Sequence, residues 1–272
     1  MKPLLLAALL AIPICVNAQG SVPIGTVLPV RLDSSLSTKS MPGQVVKATV
    51  MQDVPLGNGA KIPTGSKVVG QVTEVTPGSA GTNTQISLKF DRLVSDHHTV
   101  SIITDLRALA SNLEVEDAQL PDANSDRGTP SNAYTTVQVG DNETVYRGGG
   151  HVMNGSERVG EPVLPNGVLV HVRPNSTNGC RGLLRDNEPP QALWVFASDA
   201  CGVHGYSHLK ILNSGRNAPL GQIVLAVDGR SLNVRAGSGM LLRIVGANSS
   251  APQASKIPFV DTTSLYGGGG EK

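Results

Sequence analysis

Apolar and polar residues alternate with a period of two through much of the chain, and Gly, Pro, Asn and Asp separate short apolar stretches. Residues 45–54 (VVKATVMQDV) and 85–94 (QISLKFDRLV) show this alternation most clearly. Alternation of this kind is typical of strands with one buried face, whereas helical periodicity is hard to find. The pattern therefore predicts an all-β protein with little helix.

The predicted strands fall in two groups along the chain. The first group comprises residues 27–32, 45–54, 68–75, 85–94 and 99–106. The second comprises residues 134–139, 144–147, 167–173, 193–197, 207–212, 223–227, 232–236 and 240–245. Residues 108–115 fit either a short helix or the end of a long strand. The Asp228-Gly229 pair between two of these strands is the strongest hairpin signal in the sequence.

Composition suggests where one unit ends and the next begins. Residues 116–131 are rich in Asp, Pro, Asn and Ser, and five of the eight aromatic residues lie between positions 134 and 206. We therefore predict two antiparallel β-barrel or β-sandwich units, at 19–110 and 134–247, joined by a polar linker or long loop at 111–133. The polar, glycine-rich residues 248–272 are predicted to form a disordered tail.

The first 18 residues predict export. Lys2 precedes an apolar stretch at 4–16, and Val16-Asn17-Ala18 matches a signal-peptidase site. Cleavage removes one of 22 basic residues, so the remainder balances 21 acidic residues. A neutral chain lacks the basic footprint of a nucleic-acid-binding protein, and we find no transmembrane helix in the mature chain. We expect a periplasmic or extracellular protein, with outer-membrane association left open.

Export to an oxidising compartment favours a disulfide between Cys180 and Cys201. A metal site is the alternative, because Cys201, His204 and His208 follow the pattern C-x2-H-x3-H and Cys180 is available as a fourth ligand. We favour the disulfide, since paired thiols would have to survive oxidation. The prediction therefore includes no metal and no cofactor.

The sequence contains no recognisable catalytic motif. A nucleophile elbow, a zincin helix, a P-loop and a dinucleotide-binding glycine motif are all missing. His97 and His98 are interpreted as solvated residues of a hairpin tip, His151 as a loop residue, and His171 as a strand residue that is either on the surface or satisfied in the core. Asp122, Asn124 and Asp126 alternate like calcium ligands, but the required Gly and closing Glu are missing, so we interpret them as a polar loop. No catalytic residue is predicted.

A group of glycine and proline positions in the first half resembles a known family. The relevant segments are Gly25-Thr26-Val27-Leu28, Pro42-Gly43-Gln44-Val45 with Ala48 and Val50, and Ile62-Pro63 with Gly65-Ser66 and Gly70. They look like the β-barrel domain of TrbI-like conjugation and type IV secretion scaffold proteins, over residues 22–94. The resemblance implies a barrel-like fold, an envelope setting and a partner in a secretion apparatus. The helical membrane insertion of channel-forming members is not found here, so pore formation does not carry over.

Residues 134–247 resemble uncharacterised secreted bacterial β domains, around residues 146–150, 193–196 and 199–202, and this likeness implies no activity. We predict a non-catalytic envelope protein that binds or scaffolds through loops or a strand edge. Two alternatives stay open. One is an enzyme acting on envelope polysaccharide or peptide through an unrecognised site, and the other is a periplasmic metal-handling domain at Cys201, His204 and His208.

Overall fold

The computed structural model describes residues 22–57, 60–79, 81–96, 98–120, 122–123, 134–140, 143–146, 151–154, 157–160, 168–171, 193–197, 200–228 and 231–247. This part of the chain is mostly β structure with a single short helix, which confirms the predicted fold class. That helix is too short and too polar to cross a membrane. The predicted signal peptide (1–18), Cys180 and the predicted tail (248–272) lie outside the described residues.

The elements are labelled in chain order. They are β1 (Val27–Leu32), β2 (Leu36–Ser37), β3 (Val45–Val50), β4 (Val54–Gly57), β5 (Ala60–Ile62), β6 (Lys67–Thr76), β7 (Asn83–Ser95), β8 (His98–Ser101), β9 (Ile103–Ala110), α1 (Asn112–Gln119), β10 (Asp122–Ala123), β11 (Tyr134–Val137), β12 (Glu143–Tyr146), β13 (Val152–Asn154), β14 (Glu157–Gly160), β15 (Val168–His171), β16 (Gly202–His204), β17 (Leu209–Ser214), β18 (Ile223–Asp228), β19 (Asn233–Val234) and β20 (Gly239–Gly246).

Ten strands form the main sheet, in the order β16-β9-β20-β1-β3-β6-β7-β18-β17, with β8 paired to β7. Its strands come from both of the ranges in which we predicted separate units. Strands β16, β17, β18 and β20, from the second range, pair with one another or with strands of the first. A smaller sheet with the order β10-β11-β12-β15 contains strands from the middle of the chain.

The main sheet curls into a nearly closed barrel because β7 is long enough to pair with two strands along one edge. Its first half pairs with β18, and Arg92–Ser95 pair with β8. Strand β8 continues into β9 through Ile102, whose N–H donates to the Asp91 carbonyl oxygen at 3.0 Å. Strands β1, β3, β6, β7, β8–β9 and β20 therefore form a ring, and β16, β17 and β18 occupy the fork between β7 and β9.

Apolar side chains fill the barrel and cover both of its ends. Phe90, Leu28 and Leu88 are among the largest side chains in the interior, and all are fully buried. Strands β2 and β19 pair across one end, where Leu36 faces Val234. The β4–β5 hairpin covers the other end with Val54 and Ile62. Each fully buried side chain of this size stabilises the fold by about 1.5–3 kcal/mol.

A second apolar cluster covers the outer face of β9 and β20. Ala108 and Leu241 pack there against residues of α1 and against Val195 and Phe196. Helix α1 starts at Ser111, whose side chain accepts a hydrogen bond from the Glu114 N–H at 3.2 Å and so caps the first turn. Residues 108–115 thus contain both predicted structures, since the strand ends at Ala110 and the helix follows.

The hairpin predicted for residues 223–236 is wrong. Strand β18 pairs with β7 on one edge and with β17 on the other, so neither edge remains for β19. Strand β19 instead pairs with β2. Pairing with β2 buries Leu232 and Val234 at the barrel end, and this burial stabilises the fold more than a local hairpin with β18 would.

The strand predicted at residues 193–197 is also wrong, because this segment forms a tight turn. Leu193 and Phe196 bridge to each other, and Trp194 has a φ of +58°. Val139 holds the segment in place: its N–H donates to the Val195 carbonyl oxygen at 2.8 Å, and its own carbonyl oxygen accepts from the Ala197 N–H at 2.9 Å. The apolar residues that suggested a strand pack into the outer cluster instead.

Candidate interaction surface

The ligands of the alternative metal site do not assemble in the part of the chain that the structure describes. No group of three or more His, Cys, Asp or Glu side chains there could hold a metal ion. His204 Nε2 lies 3.0 Å from the Cys201 carbonyl oxygen, so a backbone group occupies the position that a metal ligand would need free. His208 is exposed. Cys180 lies outside the described residues, so its disulfide with Cys201 stays a prediction.

The environment of His204 favours a neutral imidazole. Burial lowers its pKa, while the hydrogen bond with the Cys201 carbonyl oxygen and the nearby Glu114 carboxylate act in the opposite direction. Of the other predicted surface histidines, His98 and His151 are exposed. His171 belongs to β15 and Asp122 to β10, whereas His97, Asn124 and Asp126 lie outside the described residues.

The uncovered side of the barrel carries the largest group of basic side chains in the described ranges. We define the barrel wall as the charged residues on or beside the outer face of β1, β3, β6 and β7: Arg31, Asp33, Lys47, Lys67, Glu74, Lys89, Asp91 and Arg92. Strand register brings these residues together, because Thr49 lies between Arg31 and Lys67, and Val69 lies between Lys47 and Arg92. No motif in the sequence singles out these residues.

Two carboxylates neutralise part of this positive charge. Asp33 accepts from the Thr49 hydroxyl at 2.6 Å and from Lys67 Nζ at 3.0 Å. Partial burial raises the pKa of Asp33, but these hydrogen bonds and the Lys67 charge outweigh it, so the pKa falls below its usual value. Asp91 lies 3.5 Å from Lys89 Nζ and 3.3 Å from Arg92 Nε.

The remaining charge on the barrel wall is positive, although the exposed Glu74 on β6 offsets one of the basic side chains. Within the described ranges, Arg31 and Lys47 have no carboxylate within ion-pair distance, and both are exposed. Val69 is only 9% exposed although it faces outwards. The long stems of its neighbours Lys47 and Arg92 account for this, since such side chains cover apolar surface while their charged ends stay in water.

Gly70 sets the position of the basic side chains on β7. A Cβ atom at this residue would lie 1.8 Å from the Lys89 carbonyl oxygen, so no other residue fits without moving β6 away from β7. The register of the two strands shifts at this point, between the pairs Val69–Arg92 and Gly70–Phe90. Gly70 is one of the glycines on which the family resemblance rests, and close backbone approach is its physical role here.

Exposed apolar residues lie at one end of the barrel wall. Met41 is 70% exposed and Val45 is 51% exposed, and Pro42 is also exposed. Gly43 adopts a φ of +85°, and the Gln44 N–H donates to the Met41 carbonyl oxygen at 3.0 Å, so these residues form a tight turn before β3. We call Met41, Pro42 and Val45 the apolar tip. Val45 and Lys47 lie on the same face of β3.

The opposite side of the barrel carries acidic residues. Helix α1 contains Glu114, Glu116 and Asp117 and has no basic residue in its last turn. It covers the outer face of β9 and β20, which lie across the ring from β3 and β6. Helix α1 therefore places negative charge on the side of the described barrel opposite the barrel wall, although the sequence as a whole is close to neutral.

A buried ion cluster stabilises the fork between β7 and β9. Asp105 is 1% exposed and accepts from Arg216 Nε at 3.2 Å and from the Arg243 guanidinium. These residues belong to β9, to the β17–β18 connection and to β20. The cluster joins three segments that are distant in sequence, and we assign it a structural role.

No protein-family model matches the chain, and a search of curated proteins also found no match. Among solved structures, the chain is similar to ComB10 of the Com type IV secretion system of Helicobacter pylori, with 23% sequence identity and a TM-score of 0.24. The match covers 29% of this chain and 41% of that chain, which is less than half of either. The TM-score is too low for the two folds to be considered the same.

Proposed function

We propose that this protein is an exported, non-catalytic envelope protein that binds through the barrel wall. The observation that carries the proposal is the contrast between the two sides of the barrel. The outer face of β9 and β20 is covered by α1, by residues 193–197 and by Ala200, whereas within the described ranges β3, β6 and β7 leave their charged outer face open. A filled apolar interior with one charged face left open fits a binding scaffold.

The packing of the barrel restricts where a partner can bind. Its interior is filled by buried side chains, and the two ends are covered by β2–β19 and by β4–β5. Most strands of the ring are paired on both edges, which favours binding to a face over the strand-edge binding that the sequence suggested. The partner therefore meets the outside of the barrel.

The envelope setting is supported by the sequence. Residues 1–18 have the pattern of a signal peptide, and residues 22–94 resemble the barrel domain of TrbI-like secretion scaffold proteins. The turn at Gly43 and the close approach at Gly70 give physical roles to glycines of that resemblance. We include in the proposal a periplasmic or extracellular location and a link to a secretion or conjugation apparatus.

Photo-crosslinking in intact cells tests this function. A photoreactive amino acid replaces Lys47 on the barrel wall in one variant and Glu116 on helix α1 in the matched variant, since both side chains are exposed. We expect adducts with an envelope component from position 47 and few from position 116. Recovery of secretion-apparatus proteins among those adducts would support the proposed link.

Two results would contradict the proposal. Equal adducts from positions 47 and 116 would show that the wall has no special role in binding. Cytoplasmic recovery of the chain with its first 18 residues intact would remove the envelope setting.

A further inference from the structure

The barrel wall combines a positive face with exposed apolar side chains at its end. Five basic residues and three acidic residues form the face, which keeps a positive balance, and the apolar tip continues from it along β3. This combination differs from a protein-binding hot spot, in which aromatic side chains normally fill a pocket. The described part of the wall contains no aromatic residue on its outer face.

The basic side chains are spread over a face rather than gathered in a pocket. Arg31 and Lys67 lie in one cross-strand row, Lys47 and Arg92 in the next, and Lys89 lies opposite Gln71 in a third. Neighbouring strands are separated by about 4.8 Å, so the positive charge extends across several strands. An extended anionic surface can meet all of these side chains at once, which a small anion cannot.

The apolar tip points to the kind of anionic surface. Met41 and Val45 are exposed next to Lys47, and their side chains gain nothing from water. Apolar groups beside basic residues bind at the boundary between lipid headgroups and acyl chains. An acidic glycan would neutralise the basic side chains but would leave the tip in water.

The acidic helix α1 favours an orientation in which the barrel wall faces the anionic surface. When the wall faces a negative surface, Glu114, Glu116 and Asp117 lie on the far side of the barrel. Repulsion between these carboxylates and the surface then disfavours the reverse orientation, and screening by salt weakens both effects over about 8–10 Å. The charge distribution thus selects one side of the barrel.

We propose that the barrel wall docks on an anionic lipid surface, with the apolar tip entering the headgroup region. This inference rests on the proposed function, since it names the envelope component that the wall meets. Lysines and arginines bind the lipid phosphates, and Met41 and Val45 become buried at the edge of the contact. The contact is peripheral and reversible by salt.

Vesicle sedimentation tests the proposal with the full chain. The probes are phosphatidylcholine vesicles with and without phosphatidylglycerol, at low and at high salt. The readout is the difference in bound fraction between vesicles with and without the anionic lipid. This difference is used because residues 1–18, if they are not cleaved, would bind both kinds of vesicle. We expect anionic lipid to increase the bound fraction, and high salt to abolish the increase.

The decisive variant is Arg31→Gln with Lys47→Gln. Neither residue forms an ion pair in the described ranges, so the fold is expected to survive. Each basic side chain near an anionic surface contributes about a fivefold increase in binding, so the double variant should bind roughly thirtyfold more weakly. The matched control is Lys210→Gln with Arg235→Gln, which removes the same charge from exposed positions outside the wall and should change binding less than threefold.

Three results would overturn the inference. The first is vesicle binding that does not depend on anionic lipid. The second is an equal loss of binding in the wall variant and in its control. The third is that adding Met41→Ser to the wall variant causes no further loss of vesicle binding. Crosslinks from position 47 to an envelope protein, combined with a lack of vesicle binding, would overturn the lipid inference and leave the proposed function intact. Loss of the crosslinking preference for position 47 would instead remove the proposed function.

Discussion

Asp53 orders the connection between β5 and β6 with a single carboxylate. Oδ2 lies 2.5 Å from Lys61 Nζ, while Oδ1 accepts from the Thr64 N–H at 2.8 Å and from its hydroxyl at 3.1 Å. The Lys61 hydrogen bond, followed by the Thr64 N–H, lowers the pKa of Asp53 to about 2. Since the folded pKa lies below the unfolded value, this contribution to stability is complete above about pH 4 and is lost as the pH falls through about 2.

Replacing Lys61 should raise the pKa of Asp53. In Lys61→Met the largest lowering contribution is gone, but the two Thr64 hydrogen bonds remain. We expect the carboxylate to titrate between about 2 and its ordinary value of 3.8, as followed by NMR of the Asp53 side chain. Lys210→Met, far from this carboxylate, is the control and should leave the titration unchanged. An unchanged midpoint in Lys61→Met would contradict the assigned contacts.

Asp105 is expected to be the most sensitive charged residue in the barrel. Asp105→Asn leaves Arg243 and Arg216 without their carboxylate, and loss of one partner of a buried ion pair costs about 3–5 kcal/mol. Arg216→Gln should lower the free energy of unfolding by less, because the Arg216 side chain is 34% exposed and the amide of the new Gln side chain can still donate to Asp105. Urea unfolding of both variants measures the difference. Equal costs would show that the cluster is not buried as described.

At the level of elements, the close approach of β6 and β7 depends on Gly70. Gly70→Ala places a methyl group against the Lys89 carbonyl oxygen and should lower the free energy of unfolding by about 3 kcal/mol or more. Gly246→Ala in β20 is the matched control, since its Cβ would meet only the Ile103 side chain at 3.4 Å or farther. Thermal unfolding of both proteins tests this, and a similar loss in the two would argue against the close contact.

Several elements were predictable from local patterns. Alternation located β1, β3, β6, β7, β18 and β20, because a strand with one buried face shows its period in its own residues. Which strands pair with one another was harder to predict from the sequence. Asp228-Gly229 suggested a hairpin, but β18 pairs with β7, more than a hundred residues earlier, and local turn residues carry no information about such a partner. The same limit applies to residues 193–197, whose apolar side chains pack on α1 and β9.

The candidate surface could be predicted only in part. Alternation in residues 45–54 and 85–94 places Lys47, Lys89 and Arg92 on the polar faces of their strands. Their position next to one another depends on how β3, β6 and β7 pair, and on the register shift at Gly70. Neither is encoded in the period of a single strand. Pro42 and Val45 of the apolar tip belong to a segment on which the family resemblance rests, but the pattern of that segment does not predict exposed apolar side chains beside Lys47.

At the scale of the whole molecule, the closed barrel separates two faces with different charge. One face is covered by an apolar layer and the acidic helix α1, and the other presents the barrel wall. A net charge close to zero therefore hides an excess of basic residues on the barrel wall and a group of acidic residues on α1. For this reason neutrality excludes a strongly basic polyanion binder but does not exclude electrostatic docking through one side.

Lysine footprinting in intact cells tests the central claim most directly, because it reports on the wall whatever the partner is. An amine-reactive reagent modifies the protein in cells and after purification, and mass spectrometry compares the rate at each lysine. The account predicts that Lys47, Lys67 and Lys89 react more slowly in cells than in the purified protein, whereas Lys61 and Lys210 react equally in both. Equal reaction of the wall lysines in both preparations, or equal protection of all five lysines, would contradict the assignment of the barrel wall as the binding surface.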